Sequence, residues 1–232
     1  MGIIRNWLGV PDQSTSWRDR VVATVISMIG MVVVVLVSQT SKSLSFHDPL
    51  WLVGSIGASA VLVFGVPHGA LSQPWSVIGG HLTSAVVGIT VAHVLGRGPV
   101  PAAIAVGAAV GAMHLLRCIH PPGGATALAA VMMVTRTHTP SWQYPLTPVL
   151  LNAVTIVVVA VALNAPFGWR RYPLALAFPR THPTTQSMPP PFTHEQFKVA
   201  LREIDVVATM SEEDLDAIYR SIRRQQDTEV QR

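Results

Sequence analysis

The residues best suited to chemistry lie together between positions 117 and 126. This stretch reads Arg-Cys-Ile-His-Pro-Pro-Gly-Gly-Ala-Thr, and Arg117 is the only charged residue between positions 98 and 135. Two consecutive prolines break a helix, because proline has no amide N–H to donate. A charge, a histidine and a broken backbone between two apolar runs are costly at membrane depth, so they indicate a functional site.

The chemistry that this stretch favours is the binding of a small anion. Arg117 offers a planar fork of N–H donors, and His120 precedes a proline, which keeps it out of helical geometry. The glycine pair opens a helix whose N-terminal amides and dipole attract negative charge. From this stretch the predicted site takes Arg117, His120, Pro121, Pro122, Gly123, Gly124 and Thr126.

A second proline–glycine segment is weakly similar to the first. Residues 78–87 (IGGHLTSAVV) resemble residues 122–131 (PGGATALAAV), and each segment follows a proline. If the similarity is real, two helix starts face one site, as in transporters with broken helices; chance similarity between Ala/Gly-rich helices is the alternative. From this second region the predicted site takes Gln73, Gly79, Gly80 and His81.

Other roles for these residues remain open. Arg117 is also placed to extend to the cytoplasmic interface and set the orientation of the chain, and a membrane histidine is often a hydrogen-bonded packing residue. A bis-histidine haem fits poorly, because His81 and His93 lie about 120° apart around a helix. We predict no cofactor and no metal site.

The distribution of charge predicts a membrane domain. Residues 21–169 carry five charged side chains in 149 positions, whereas a soluble domain carries about 25% charge. Asp48 is the only acidic residue among them and lies in a predicted loop. A carboxylate path for cations is therefore not expected in the spans.

Several other classes of protein are disfavoured by composition. The single cysteine, Cys118, excludes an internal disulfide and a multi-cysteine metal site. No basic cluster carries interleaved aromatic residues, so nucleic acid is not an expected partner. Zinc-protease, phosphate-loop and nucleophile-elbow motifs are missing, so we predict that the protein is not an enzyme.

The apolar runs predict an all-α, polytopic membrane helix bundle of about six segments. The predicted segments are 21–37, 50–66, 76–95, 102–118, 123–135 and 148–163. The fifth follows the His-Pro-Pro break and would reach only about 20 Å as a helix, which is short for a bilayer. It is either a short crossing or a half-helix that re-enters the membrane; we favour the crossing.

Basic residues at the span ends predict the orientation. Arg18 and Arg20 precede the first span, and Arg170 and Arg171 follow the last, which indicates a multi-pass protein of the cell membrane with both termini cytoplasmic. The predicted domains are an N-terminal arm (1–20), a transmembrane domain (21–169), a proline-rich linker (170–191) and a helical hairpin (192–226). The many small residues make a homo-oligomer plausible.

The sequence His-Pro-Pro-Gly-Gly-Ala-Thr-Ala-Leu at 120–128 resembles the signature that names the HPP family of integral membrane proteins. Residues 57–64, 73–81, 163–164 and 172–173 are similar to other family stretches, so the resemblance covers about residues 15–175. Some plant-chloroplast and cyanobacterial members are nitrite transporters. The resemblance therefore implies a small-anion permease with nitrite as the leading substrate. The alternative is a membrane sensor or scaffold whose cytoplasmic hairpin binds a partner.

Overall fold

Helices make up the regular secondary structure in the described part of the chain. A computed structural model describes residues 7–8, 15–40, 50–135 and 139–177. The helices are α1 (Trp17–Thr40), α2 (Leu50–Gly65), α3 (Pro74–Leu95), α4 (Pro99–Leu115), α5 (Pro121–Met132), α6 (Leu151–Asn164) and the short α7 (Leu174–Ala177). A π-helical segment, Pro145–Leu150, leads into α6. The predicted all-α helix bundle is confirmed. The predicted hairpin (192–226), most of the linker and most of the arm lie outside the described residues.

Prolines set the starts of three consecutive helices. Pro74, Pro99 and Pro121 are the first residues of α3, α4 and α5. Proline suits this position, because its fixed φ is helical and the amide that it lacks would have had no partner in the helix. The sequence-based starts at 76, 102 and 123 were therefore wrong by two or three residues.

Three described helical stretches have the length and composition to cross a membrane. They are Trp17–Gln39, Pro74–Leu95 and Pro145–Asn164. The stretches Gly54–Gly65 and Pro99–Leu115 are apolar but shorter, and α5 has 12 residues. The last span is longer than the predicted 148–163, because Pro148 lies inside the π-helical turn rather than at a helix start.

One buried arginine joins three helix ends. The Arg170 guanidinium pairs with Asp19 in the first turn of α1 and donates to the carbonyl of Phe64 at the end of α2. Its Nε donates to Asn164 Oδ1 at the end of α6, at 3.3 Å. The start of α1 and the ends of α2 and α6 therefore lie together, at what we call the Arg170 end.

Two aromatic side chains bring further segments to the Arg170 end. Trp75 Nε1, at the start of α3, donates to the carbonyl of Leu116 after α4, at 3.2 Å. The Tyr172 hydroxyl donates to the Ser72 carbonyl at 2.9 Å, and burial raises the pKa of this phenol. The loop before α3 and the break between α4 and α5 are thus at this end.

The opposite end of the bundle gathers the other connections. Arg97, between α3 and α4, lies 3.5 Å from the carbonyl of Val134 just after α5. Ser38, near the end of α1, donates to Asn152 near the start of α6, at 2.6 Å. Helix α5 therefore begins at the Arg170 end and finishes at this Arg97 end, which supports a crossing rather than a re-entrant half-helix.

Helix α1 packs against the bundle through one face only. Ile26 and Val34 are buried, and a Cβ added at Gly30 would lie 2.4 Å from the ring of Phe64. The opposite face carries large apolar side chains that remain exposed in the structure, which suits contact with lipid. These are Val21, Val25, Met28, Ile29, Val32 and Leu36.

Candidate functional site

Four polar side chains meet inside the bundle and exclude solvent completely. Ser59 of α2, His81 of α3, His120 of the α4–α5 break and Thr126 of α5 each have no exposed surface. The rings of the two histidines are 4.9 Å apart between centroids and meet edge to face. We call these four residues the buried polar cluster. Polar groups are expensive in such a place unless they are hydrogen-bonded to each other.

Ser59 is the central link of the buried polar cluster. Its Oγ lies 2.7 Å from Nε2 of His81 and 2.8 Å from Nε2 of His120. At the outer ends of this chain, His81 Nδ1 lies 2.7 Å from Thr126 Oγ1, and His120 Nδ1 lies 2.8 Å from the carbonyl of Leu71. The four contacts form one continuous chain of hydrogen bonds.

With all four contacts formed and both histidines neutral, the carbonyl of Leu71 sets the direction of each proton in that chain. A carbonyl only accepts, so His120 must carry its proton on Nδ1, and its Nε2 then accepts from the Ser59 hydroxyl. Ser59 Oγ in turn accepts from Nε2–H of His81, whose bare Nδ1 accepts from the Thr126 hydroxyl. Two neutral histidines and two hydroxyls supply four protons for four contacts, so the neutral cluster is satisfied.

The proline that follows His120 explains why its ring lies inside. His120 precedes Pro121 and adopts an extended conformation with φ −142° and ψ 103°, as a residue before proline prefers. It is the N-cap of α5, and its side chain makes no capping bond to that helix. The ring is therefore free to reach Leu71 and Ser59 on neighbouring segments.

Close helix approach at glycine makes room for the cluster. A Cβ added at Gly80 would lie 2.5 Å from Cβ of His120 and 2.8 Å from the carbonyl of Cys118. A Cβ at Gly123 would lie 2.6 Å from Ser84 Oγ, and one at Gly88 would lie 2.6 Å from the carbonyl of Ala127. Helices α3 and α5 thus run side by side in the same direction, with backbone against side chain.

Arg117 lies away from the cluster, at the end of α4. It is exposed, and within the described residues no hydrogen bond or ion pair of its guanidinium is found. Its φ of 54° is left-handed, and the amides of Arg117 and Cys118 donate to the carbonyls of His114 and Met113. This is the Schellman ending of a helix, at the position where glycine is usual. The predicted contact of Arg117 with an anion stays a prediction.

The amide of Gly123 is already used. It donates to the carbonyl of His120 at 2.8 Å, and the two residues before it are prolines, which have no amide to offer. The start of α5 therefore presents fewer free N–H groups than the glycine pair indicated. The two glycines also differ in packing. A Cβ added at Gly124 would contact only Val106, at 3.8 Å, whereas one added at Gly123 would lie 2.6 Å from Ser84 Oγ.

The remaining predicted residues surround the cluster rather than join it. Gln73 links segments at the Arg170 end: its Nε2 donates to the carbonyls of Pro67 and Gly69, and its Oε1 accepts from the amide of Leu174. Gly79 packs against Cys118, with an added Cβ 3.0 Å from that residue's Cβ. Of the two prolines, Pro121 is exposed and Pro122 is buried.

The sequence did not predict two polar residues at this site: Ser59 of the buried polar cluster, and Tyr144, which contacts it. Ser59 was interpreted as a small packing residue of α2, yet Ser55 and Ser59 lie four residues apart, so two hydroxyls share one helix face. That spacing was the available signal. Tyr144 was placed in a loop, but it is buried and its hydroxyl donates to the carbonyl of Thr126 at 3.1 Å. Nothing in the local sequence indicates that contact.

Comparison with known proteins agrees with the fold. A model of the transmembrane region of the HPP family matches residues 12–173. Two proteins of Dictyostelium discoideum, both described as transmembrane proteins, are 35% identical over 152 residues and 38% identical over 127 residues. The alignments cover 64% and 53% of this chain and 48% and 44% of the relatives. The chain thus spans about half the length of the curated relatives it matches. No solved structure matches it.

Proposed function

The chain belongs to the HPP family of membrane proteins, and from that premise we propose that it is a transporter or channel for a small anion, with nitrite as the leading candidate. One observation carries the proposal: a hydrogen-bonded chain of hydroxyls and imidazoles is buried in the bundle, and residues 49–169 contain no carboxylate. Ionisable side chains inside a membrane bundle are rare and often line a path for a solute or ion.

The donors of the cluster favour an anion over a cation. Hydroxyls and imidazole N–H groups can donate to an oxyanion once the hydrogen-bonded chain opens, whereas hard cations such as Mg²⁺ and Ca²⁺ prefer carboxylate, carbonyl and water oxygens. Arg170, the buried cation of the described region, is already paired with Asp19, so its charge is balanced without a second anion. Nitrite is small, carries one charge and accepts hydrogen bonds on two oxygens, which matches a site of few donors. Family resemblance makes it the first substrate to test.

The proposal includes a role for Arg117 outside the cluster. It is exposed at the same end of the bundle as His120, so its charge can concentrate anions at the mouth of a path. We place the protein in the cell membrane with both termini cytoplasmic, and we assign it no catalytic activity. Homo-oligomer formation is part of the proposal and is tested by molar-mass measurement in detergent.

The test is nitrite uptake by proteoliposomes that contain the purified full-length chain, with protein-free liposomes as background. We expect protein-dependent uptake that falls at least tenfold in His120→Ala and severalfold in Arg117→Ala. His120→Asn keeps a donor toward the Leu71 carbonyl and serves if the alanine variant does not fold. His114→Ala, an exposed histidine of α4, is the matched control and should transport normally.

Three results would count against the proposal. Unchanged uptake in both His120 variants would show that the cluster does not take part in transport. Unchanged uptake in Arg117→Ala would show the same for Arg117. Lack of uptake by the wild-type protein rejects nitrite as substrate. In that case the sensor or scaffold alternative gains, and deletion of residues 180–232 tests whether a partner is lost.

A further inference from the structure

We propose that the buried polar cluster binds one proton together with one anion, so that a weak-acid anion such as nitrite enters the protein only with a proton. The inference rests on the proposed function, and it adds a second ligand and a coupling between the two. It follows from the count of protons and acceptors in the cluster and from the lack of a countercharge around it among the described residues.

Two helix carbonyls beside the cluster can each accept a hydroxyl proton in addition to a backbone amide. Ser59 Oγ lies 3.1 Å from the carbonyl of Ser55, and Thr126 Oγ1 lies 3.4 Å from the carbonyl of Pro122. In the neutral arrangement described above, both hydroxyl protons point to imidazole nitrogens instead of to these carbonyls. These two carbonyls are the places where a hydroxyl proton can go if the chain is rearranged.

An added proton fits the cluster with every contact still satisfied. If His81 gains it on Nδ1, that nitrogen donates to Thr126, whose hydroxyl turns to the Pro122 carbonyl. If His120 gains it on Nε2, that nitrogen donates to Ser59. Ser59 Oγ then accepts from both rings. Its hydroxyl turns to the Ser55 carbonyl. Either histidine can therefore hold a fifth proton without an orphaned hydrogen bond.

Among the described residues, no fixed negative charge lies beside the cluster to balance that proton. The titratable groups next to the cluster are Tyr144, which donates to Thr126, and the buried thiol of Cys118 beside Gly79 and Gly80. From α4, His114 and Arg117 are exposed. Helices α2 and α6 carry no ionisable side chain, and the acidic residue of α1 is Asp19, which pairs with Arg170. A buried unpaired charge is very unfavourable.

A mobile anion supplies the missing charge. The neutral cluster, one proton and one monovalent anion give a complex with no net charge, so each ligand strengthens the binding of the other. The cluster is sealed in this conformation, so both ligands enter when the surrounding helices separate. An anion that arrives alone meets a neutral site, and a proton that arrives alone creates an unpaired charge.

The experiment is calorimetric titration of the purified full-length chain with sodium nitrite, in two buffers of different ionisation enthalpy and at several pH values. We expect uptake of close to one proton per nitrite bound where the free cluster is neutral. The apparent affinity should then fall about tenfold for each unit of pH increase, as linkage requires. Nitrite binding without proton uptake, or no nitrite binding, overturns the inference.

Variants assign the proton to the cluster. His81→Gln keeps a donor toward Ser59, and His120→Asn keeps a donor toward Leu71, but neither amide can be protonated. The double variant should bind nitrite more weakly and without proton uptake, while His114→Gln, the exposed control, should match wild type. Unchanged proton uptake in the double variant refutes the assignment. If the double variant does not fold, each single variant should reduce the uptake, and no reduction in either refutes it.

Calorimetry and flux separate this inference from the proposed function. Nitrite flux with proton-independent binding leaves the anion transporter standing and rejects the coupling. Proton-linked nitrite binding without flux keeps the coupled site and rejects transport. In proteoliposomes, coupled movement predicts that nitrite uptake acidifies the lumen and is insensitive to membrane potential, whereas an uncoupled anion moves with the potential.

Discussion

Removal of the Ser59 hydroxyl is the sharpest test of the buried polar cluster. In Ser59→Ala the contacts of 2.7 Å to His81 and 2.8 Å to His120 disappear. The Nε2–H of His81 then loses its acceptor in an environment without exposed surface. The variant should therefore fold into the same bundle but open more readily around the α4–α5 break.

The magnitude follows from two lost hydrogen bonds and one stranded donor. A buried hydrogen bond contributes about 1 kcal/mol in soluble proteins, and about 0.6 kcal/mol on average between membrane helices. A buried donor left without a partner costs about 1 kcal/mol or more. The sum for Ser59→Ala is about 2 kcal/mol, which corresponds to about a 30-fold change in an opening equilibrium.

The chain carries its own reporter of this opening. Cys118 is the only cysteine, its side chain is fully buried, and it lies two residues before His120. A thiol reagent reaches it only when the break between α4 and α5 opens, so the labelling rate measures that equilibrium when reclosing is fast. Labelling of Ser59→Ala in detergent should be about 30-fold faster than labelling of wild type.

Ser27→Ala is the matched control. The Ser27 hydroxyl donates to the carbonyl of Ala23 in its own helix, at 2.6 Å, and reaches no other segment. Its loss should change the labelling of Cys118 less than twofold. If Ser59→Ala also labels within twofold of wild type, the hydrogen-bonded chain does not hold the break closed and the reasoning about the cluster is wrong.

Three further variants test the packing and the helix ends. Gly80→Ala should lower the thermal stability strongly and reduce the yield of folded protein, because its Cβ would lie 2.5 Å from that of His120. Asp19→Asn should cost about 3 kcal/mol in unfolding titrations with a denaturing detergent, because it leaves the buried Arg170 without its countercharge. Arg117→Gly should raise the midpoint of thermal unfolding by relieving a left-handed φ of 54°, worth about 1 kcal/mol.

Each of these three variants has its own control. Gly107→Ala adds the same methyl group where no atom lies within 4 Å, so it should be neutral. Arg171→Gln removes an exposed charge next to the buried one and should leave stability unchanged. Arg117→Ala removes the same side chain as Arg117→Gly but keeps the backbone strain. Equal stability of Arg117→Ala and Arg117→Gly would show that the left-handed backbone at position 117 does not destabilise the protein.

The helical segments could be predicted because each leaves a local signature. Long apolar runs without charge identify α1, α3 and α6, and prolines identify the starts of α3, α4 and α5. The errors at those starts came from treating proline as a residue before the helix rather than as its first residue. The π-helical turn before α6 was missed, because Pro148 inside a helix contradicts the usual local rule.

The buried polar cluster could be predicted only in part, because some of its residues stand out in the local sequence and others are defined by how the helices are arranged. His81, His120 and Thr126 follow from the rarity of polar groups within apolar segments, and the structure brings these three together. Ser59 did not follow, because a serine among glycines and alanines has the same composition whether it packs or donates. Its role depends on α2 lying across both α3 and α5, and helix arrangement is not a local property.

The two arginines illustrate the same limit for charge. Arg117 is conspicuous in the sequence because its nearest charged neighbours are far away, but an exposed arginine at the end of a bundle needs no ion-pair partner. Arg170 lies in a charged segment and is not conspicuous in the sequence. Its guanidinium is nevertheless buried, and its carboxylate partner, Asp19, lies 151 positions earlier. Sequence separation says where a charge is conspicuous, whereas burial decides whether that charge must be balanced. The distribution of charged residues along the sequence therefore locates the membrane domain well but cannot identify which arginines the fold requires.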